Sequence, residues 1–212
     1  MIIIIKISMS YTVIMFRFLK YPLVLNKKMN IIYFLTSFVL YYIIGRLYIN
    51  GSLLVRNAAE WARDHISVYL KIVPSFKLMF EYLENSNQAD GIGLVTLCFV
   101  LMLIILLLTF LQMSIFRKET FQSGHQSFFG KIDKIGWRNF LILFSILLII
   151  YSANLISFSP DYKFLGLQNG DIARSPLMLA IEVFFHHVFL FFILLIIFVV
   201  PFIYVPYKKF FS

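Results

Sequence analysis

A chain of 212 residues that is 61% hydrophobic and only 14% charged, with a mean hydropathy of +0.88, has too little polar surface to clothe a water-soluble globule. Part of its solvent must be lipid. The formal charge of +9 would suit nucleic acid only if basic residues gathered on one soluble face among aromatics, and here they flank apolar runs instead, so no nucleic-acid partner is expected.

The 25 Phe and 12 Tyr set against 9 Gly, 6 Pro and 2 Trp are the bias of an AT-rich genome, organellar or bacterial. The single Cys98 lies in an apolar run, which leaves no disulfide framework and no thiolate pair for zinc, iron-sulfur or binuclear copper.

In chain order, residues 1–29 carry Lys6, Arg17, Lys20, Lys27 and Lys28 without an acid. They show no small-residue cleavage site and are too apolar for an Arg- and Ser-rich transit peptide, so the segment is expected to be retained, either as a helix at the membrane surface or as a frayed tail. The first transmembrane span is expected over residues 30–50, interrupted only by Gly45 and Arg46 near its end. Residues 51–91 form an extramembrane loop in which Leu54, Ala58, Trp61, Ala62, Ile66, Tyr69 and Leu70 recur at helical spacing. That pattern predicts an amphipathic helix, interfacial or docked on another subunit, or else packed over the chain's own spans. A second short helix is expected after Pro74, with Ser75 as N-cap and Phe76, Met79, Phe80 and Leu83 on its apolar face.

The second span covers residues 92–116 and holds no charge. The basic loop 117–138 contains His125, expected to be solvated, and ends beside Trp137, expected as an interfacial anchor of the third span at 139–158. A loop at 159–176 leads to the fourth span, 177–207, which contains Glu182, His186, His187, Pro201 and Pro206, and a basic tail closes at 208–212. The fold class is therefore all-α: a polytopic membrane protein of about four transmembrane helices with amphipathic interfacial helices. β-Barrel strands would be shorter and would alternate.

The segments 1–29, 117–138 and 208–212 together carry 12 basic and 2 acidic residues, whereas the loops 51–91 and 159–176 carry 6 basic and 7 acidic. Under the positive-inside rule both termini face the mitochondrial matrix, or the cytoplasm if the membrane is a bacterial inner membrane.

No Gly-rich phosphate loop, Ser/His/Asp set or paired carboxylates appear, and no catalytic, cofactor-binding or metal-binding residue is assigned. Glu182 and His186, one helical turn apart, form with His187 the one constellation able to carry chemistry. Residues 188–206 already supply a full hydrocarbon crossing, which puts both histidines at headgroup level on the acidic side. The expected role of Glu182, His186 and His187, as of Trp61 and Trp137, is anchoring or subunit contact. Haem ligation would require an opposing histidine on another span, and the sequence has none.

Around these residues the stretch LGLQNGDIARSPLMLAIEVFFHHVFLFFILLIIFVV, Leu165 to Val200, resembles the amino-terminal region and first transmembrane helix of mitochondrial cytochrome c oxidase subunit 2. The landmarks are Leu165, Gly166 and Gln168, then Ser175, Pro176 and Met178, then His186 and His187, with small insertions before Ser175 and before the histidines. The likeness covers about a sixth of the chain. Its direction through the membrane agrees with the charge asymmetry. Three further spans precede it, and the family's second helix and copper-binding domain have no counterpart, so none of the family's metal ligands carries over.

The resemblance implies a split or extended subunit 2 fragment: a non-catalytic membrane subunit of a respiratory-chain complex in the mitochondrial inner membrane. Its partners would be other membrane subunits holding haem and copper, together with lipid such as cardiolipin, and no small-molecule substrate is expected. The alternatives are an accessory subunit of ATP synthase or NADH dehydrogenase, and an independent small scaffold or transporter. Arg46, near the end of its span, is poorly placed for an ATP synthase channel, and broken half-helices or an internal repeat suited to transport are missing.

Overall fold

The computed structural model describes residues 27–72, 74–85, 89–126, 130–157, 163–164, 167–168 and 175–206. The expected surface segment 1–29, save its last three residues, and the tail 208–212 lie outside them, as do Leu165, Gly166 and the residues 169–174. The described chain is all-α apart from one two-residue antiparallel pairing, Lys163–Phe164 with Leu167–Gln168.

Helix α1 spans Lys27–Ile49. It ends because Gly51 takes φ +82°, a conformation glycine adopts without a Cβ penalty. That turn lets Gly51 N–H donate to Tyr48 O at 3.1 Å and Ser52 N–H to Leu47 O at 2.9 Å, the paired closing bonds of a Schellman stop. Helix α2, Leu53–His65, follows after three residues and continues through Ile66 into the single turn α3, Ser67–Leu70.

Helix α4 covers Pro74–Asn85. It starts two residues earlier than an N-cap at Ser75 would give, because proline's fixed φ and missing N–H suit the first helical position, so Ser75 lies inside the helix. Helix α5 runs Ala89–Ile115, and α6 (Arg117–Gly124) and α7 (Gly130–Ile135) lie in the basic segment. Helix α8 spans Trp137–Ser157, and α9 spans Pro176–Leu194 before the winding widens to π over Leu195–Tyr204. Pro201 sits in this last stretch, where it offers no N–H and its ring would crowd a normal α turn; the wider winding relieves both demands.

Three helices of the described residues are long and apolar enough to cross a membrane: Ile31–Ile49, Asp90–Ile115 and Pro176–Tyr204. The expected third span coincides with α8, a 21-residue helix whose rise is about 31 Å. Its described side chains include the exposed apolar residues Leu141, Ile142, Leu143, Ile146, Leu148 and Ile149. The protein is a polytopic helical membrane protein.

The chain divides into two compact units. In the unit of residues 34–105 and 141–190, two helix crossings depend on glycine. A Cβ on Gly93 of α5 would collide with the carbonyl of Ala59 in α2, and one on Gly45 of α1 would come within 3.0 Å of Pro176 Cα and 3.2 Å of a Leu179 methyl. Helix α4 buries Phe76, Met79, Phe80 and Leu83, with the Phe76 ring edge-on to Phe99 of α5 at 4.4 Å. Its expected apolar face is thus covered by the chain's own helices.

The other unit comprises residues 1–33, 106–140 and 191–212. Its buried residues include Leu106, Met113, Phe121, Ile132, Leu195 and Val199. Thr109 Oγ1 donates to the Tyr33 hydroxyl at 3.2 Å, while Phe191 packs against Tyr33 and Phe110 at 6.2 and 5.8 Å between ring centroids.

Candidate functional site

Helical spacing alone brings Glu182 and His186 onto one face of α9, and the structure fixes how they meet. His186 Nδ1 lies 3.0 Å from the backbone carbonyl of Glu182. A carbonyl only accepts, so Nδ1 carries the proton. The Glu182 carboxylate oxygen stands 3.6 Å away, too far for a direct hydrogen bond. The imidazole packs against Phe99, edge-on at 5.1 Å, and Phe76 at 5.8 Å.

His187, the next residue, points in another direction because adjacent helical positions differ by about 100°. It is fully buried, and its Nδ1 is 2.8 Å from the Tyr41 hydroxyl of α1. Phe34 stands edge-on to the same imidazole at 5.9 Å, and Phe184 in turn meets Phe34 and Phe38 edge-on at 6.1 and 5.6 Å. The histidine pair is thus divided between two aromatic settings: His186 toward α4 and α5, His187 toward α1.

The other unit holds a polar cluster that the sequence did not reveal. Asp133 of α7 accepts the Trp137 indole N–H at 2.7 Å through one carboxylate oxygen and the Tyr204 hydroxyl through the other. With the phenol proton directed at Asp133, His125 Nδ1, 3.1 Å from the same phenol oxygen, serves as donor to it. The His125 ring also stacks on Phe121 at 5.7 Å. His125, expected to be solvated, keeps an exposed edge and also closes this cluster. Nothing in the sequence linked it to Tyr204, 79 positions away. Trp137, expected as an anchor, is held by its i−4 carboxylate, a spacing that was readable.

Trp61 lies on an exposed surface of α2, its indole stacked on His65 at 5.1 Å with the ring planes 17° apart. His65 Nδ1 meets the Trp61 carbonyl at 2.9 Å and donates to it, which locks the stack.

His187 with Tyr41 and the Asp133 cluster join different helices of the same chain, while the His186 and His65 bonds stay within their own helices. Among the described residues, no group of three or more His, Cys, Asp or Glu is gathered as a metal ion would require. Compared with known protein families, curated proteins and solved structures, the chain matches none, and nothing in those comparisons links it to cytochrome c oxidase subunit 2.

Proposed function

We propose that this chain is a non-catalytic membrane subunit of a respiratory-chain complex in the mitochondrial inner membrane, with both termini in the matrix. The Leu165–Val200 likeness favours cytochrome c oxidase as the complex, the chain serving as a split or extended piece of subunit 2. The observation that carries the structural role is the pairing of inward polar clusters with broad outward apolar faces. Ile31, Leu35, Val39 and Ile43 on α1, with Leu103, Leu107 and Leu111 on α5, are exposed at helical spacing, a surface suited to lipid and to neighbouring helices. The charge asymmetry between alternate connections supports the orientation. On this reading haem and copper belong to partner subunits, and cardiolipin is a candidate lipid at the contacts.

The test is to tag the chain, solubilise membranes in mild detergent, and identify by mass spectrometry what co-migrates on a native gel. Haem-copper oxidase subunits, with a separate chain bearing the copper domain, are the expected partners. ATP synthase or NADH dehydrogenase subunits would move the chain to an accessory role in those complexes. Migration alone would overturn the subunit reading and leave an independent scaffold or transporter.

A further inference from the structure

Helix α2 with its continuation α3 presents three distinct faces. Val55, Ala59 and Ala62 are buried. Arg56, Glu60, Arg63 and Asp64 occupy a second side, where Arg63 pairs with Asp64 at 2.9 Å and reaches Asp90 at 3.5 Å. The third side is apolar and uncovered: Leu54, Trp61 and Val68 follow at seven-residue steps, joined by Ile72, with exposures of 82%, 56%, 62% and 80%. A helix needing only to lie on protein and face water has no use for that third face.

The depth of α2 is fixed by its contacts. Ala59 abuts Gly93, three residues into the apolar helix that begins at Asp90, hence about 4.5 Å along its axis. Tyr48, in the last turn of the α1 span, donates to the Asp90 backbone carbonyl at 3.0 Å, which holds the end of one span beside the start of the next. Helix α2 therefore lies at the level where two spans leave the hydrocarbon. Amphipathic helices at that level bury an apolar face about 5–10 Å into the headgroup and acyl boundary, and an indole with one wet and one apolar edge is suited to that zone.

We infer that the Leu54, Trp61 and Val68 face of α2 and α3, with Ile72 in the turn just beyond, inserts into the interfacial layer of the same bilayer that the spans cross, with the Arg56–Asp64 side turned to water. The occupant is lipid, because the helix bearing this face is held through Ala59 beside the ends of two membrane-crossing helices, and the face carries no charge to match a soluble partner. The inference rests on the chain spanning a bilayer and is independent of which complex it joins.

The test uses the full chain extracted with its surrounding lipid and partners into polymer-bounded discs. Nitroxide labels are placed separately at Leu54→Cys and at Glu60→Cys; native Cys98 is fully buried and out of reach of the reagent. Both target side chains are exposed, so folding does not depend on them. Collision with lipid-soluble oxygen relative to a water-soluble nickel chelate is expected to be several-fold higher at position 54 than at position 60. Equal, chelate-dominated collision at both would place the apolar face in water and overturn the inference. Exclusion of both reagents at position 54 alone would show a protein covering the face and overturn it in favour of subunit docking. The native-gel result is a separate readout, so failure here and failure of the subunit reading are distinguishable.

Discussion

The hydroxyl of Tyr41 and the Nδ1 of His187 meet at 2.8 Å, joining helices 146 positions apart in sequence with both side chains fully buried. Hydrogen bonds between membrane helices contribute less than their isolation suggests, because the unfolded chain in lipid also finds partners. Tyr41→Phe should therefore cost about 0.5–1.5 kcal/mol in a detergent unfolding titration. A double-mutant cycle with His187→Phe should show coupling of similar size, whereas strict additivity would mean that the bond contributes nothing to stability.

The two glycine crossings should respond unequally to an added methyl. Alanine in a helix interior normally stabilises by about 0.5–1 kcal/mol over glycine. At Gly45 the new Cβ would press on Pro176 and Leu179 at 3.0–3.2 Å, so strain should exceed that gain and Gly45→Ala should destabilise by about 1–3 kcal/mol. At Gly93 the obstacle is the Ala59 backbone carbonyl, which cannot rotate away, and the loss should be larger. Thermal unfolding of the two variants, followed in parallel by circular dichroism, gives the order; a stabilising Gly93→Ala would contradict the close approach of α2 to α5.

Lys71 and Glu84 pair at 3.0 Å, but their side chains are 39% and 47% exposed. Water screens such a pair and side-chain entropy opposes it, so Lys71→Ala should shift stability by less than about 1 kcal/mol and lose even that in high salt. A larger, salt-insensitive loss would show that this site is drier than its exposure indicates.

Much of the helix layout was legible because length and uniform apolarity are properties of a contiguous string. The expected spans at 30–50 and 92–116 fall on α1 and α5, and the periodic apolar residues after Pro74 are the ones α4 buries. What could not be read was contact between distant positions. Spacing put Glu182 and His186 on one face but could not say that His187 would reach Tyr41, nor that His125 would reach Tyr204. The two glycine crossings were equally hidden, because it takes two facing helices to show that a lone glycine is where their backbones touch. Proline at 201 marked a disturbance in the last span but not that the winding there would widen to π.

The Asp133 cluster supplies the last prediction. One carboxylate receives both the Trp137 indole and the Tyr204 phenol, linking α7 and the start of α8 to the end of the last span. Bonds to a charged acceptor contribute about 1.5–3 kcal/mol, more than the neutral pair at Tyr41, so Asp133→Ala should exceed Tyr41→Phe in cost. Because both donors share one acceptor, Trp137→Phe and Tyr204→Phe should each cost less in the Asp133→Ala background than alone, giving a coupling that a chain of independent contacts would not show. Trp137 also supplies an optical readout. In a Trp61→Phe background its emission should shift on Asp133→Ala as the indole loses its bond, and should stay fixed on Lys71→Ala. An unchanged spectrum with Asp133→Ala, in protein that remains folded by circular dichroism, would remove the indole from this cluster.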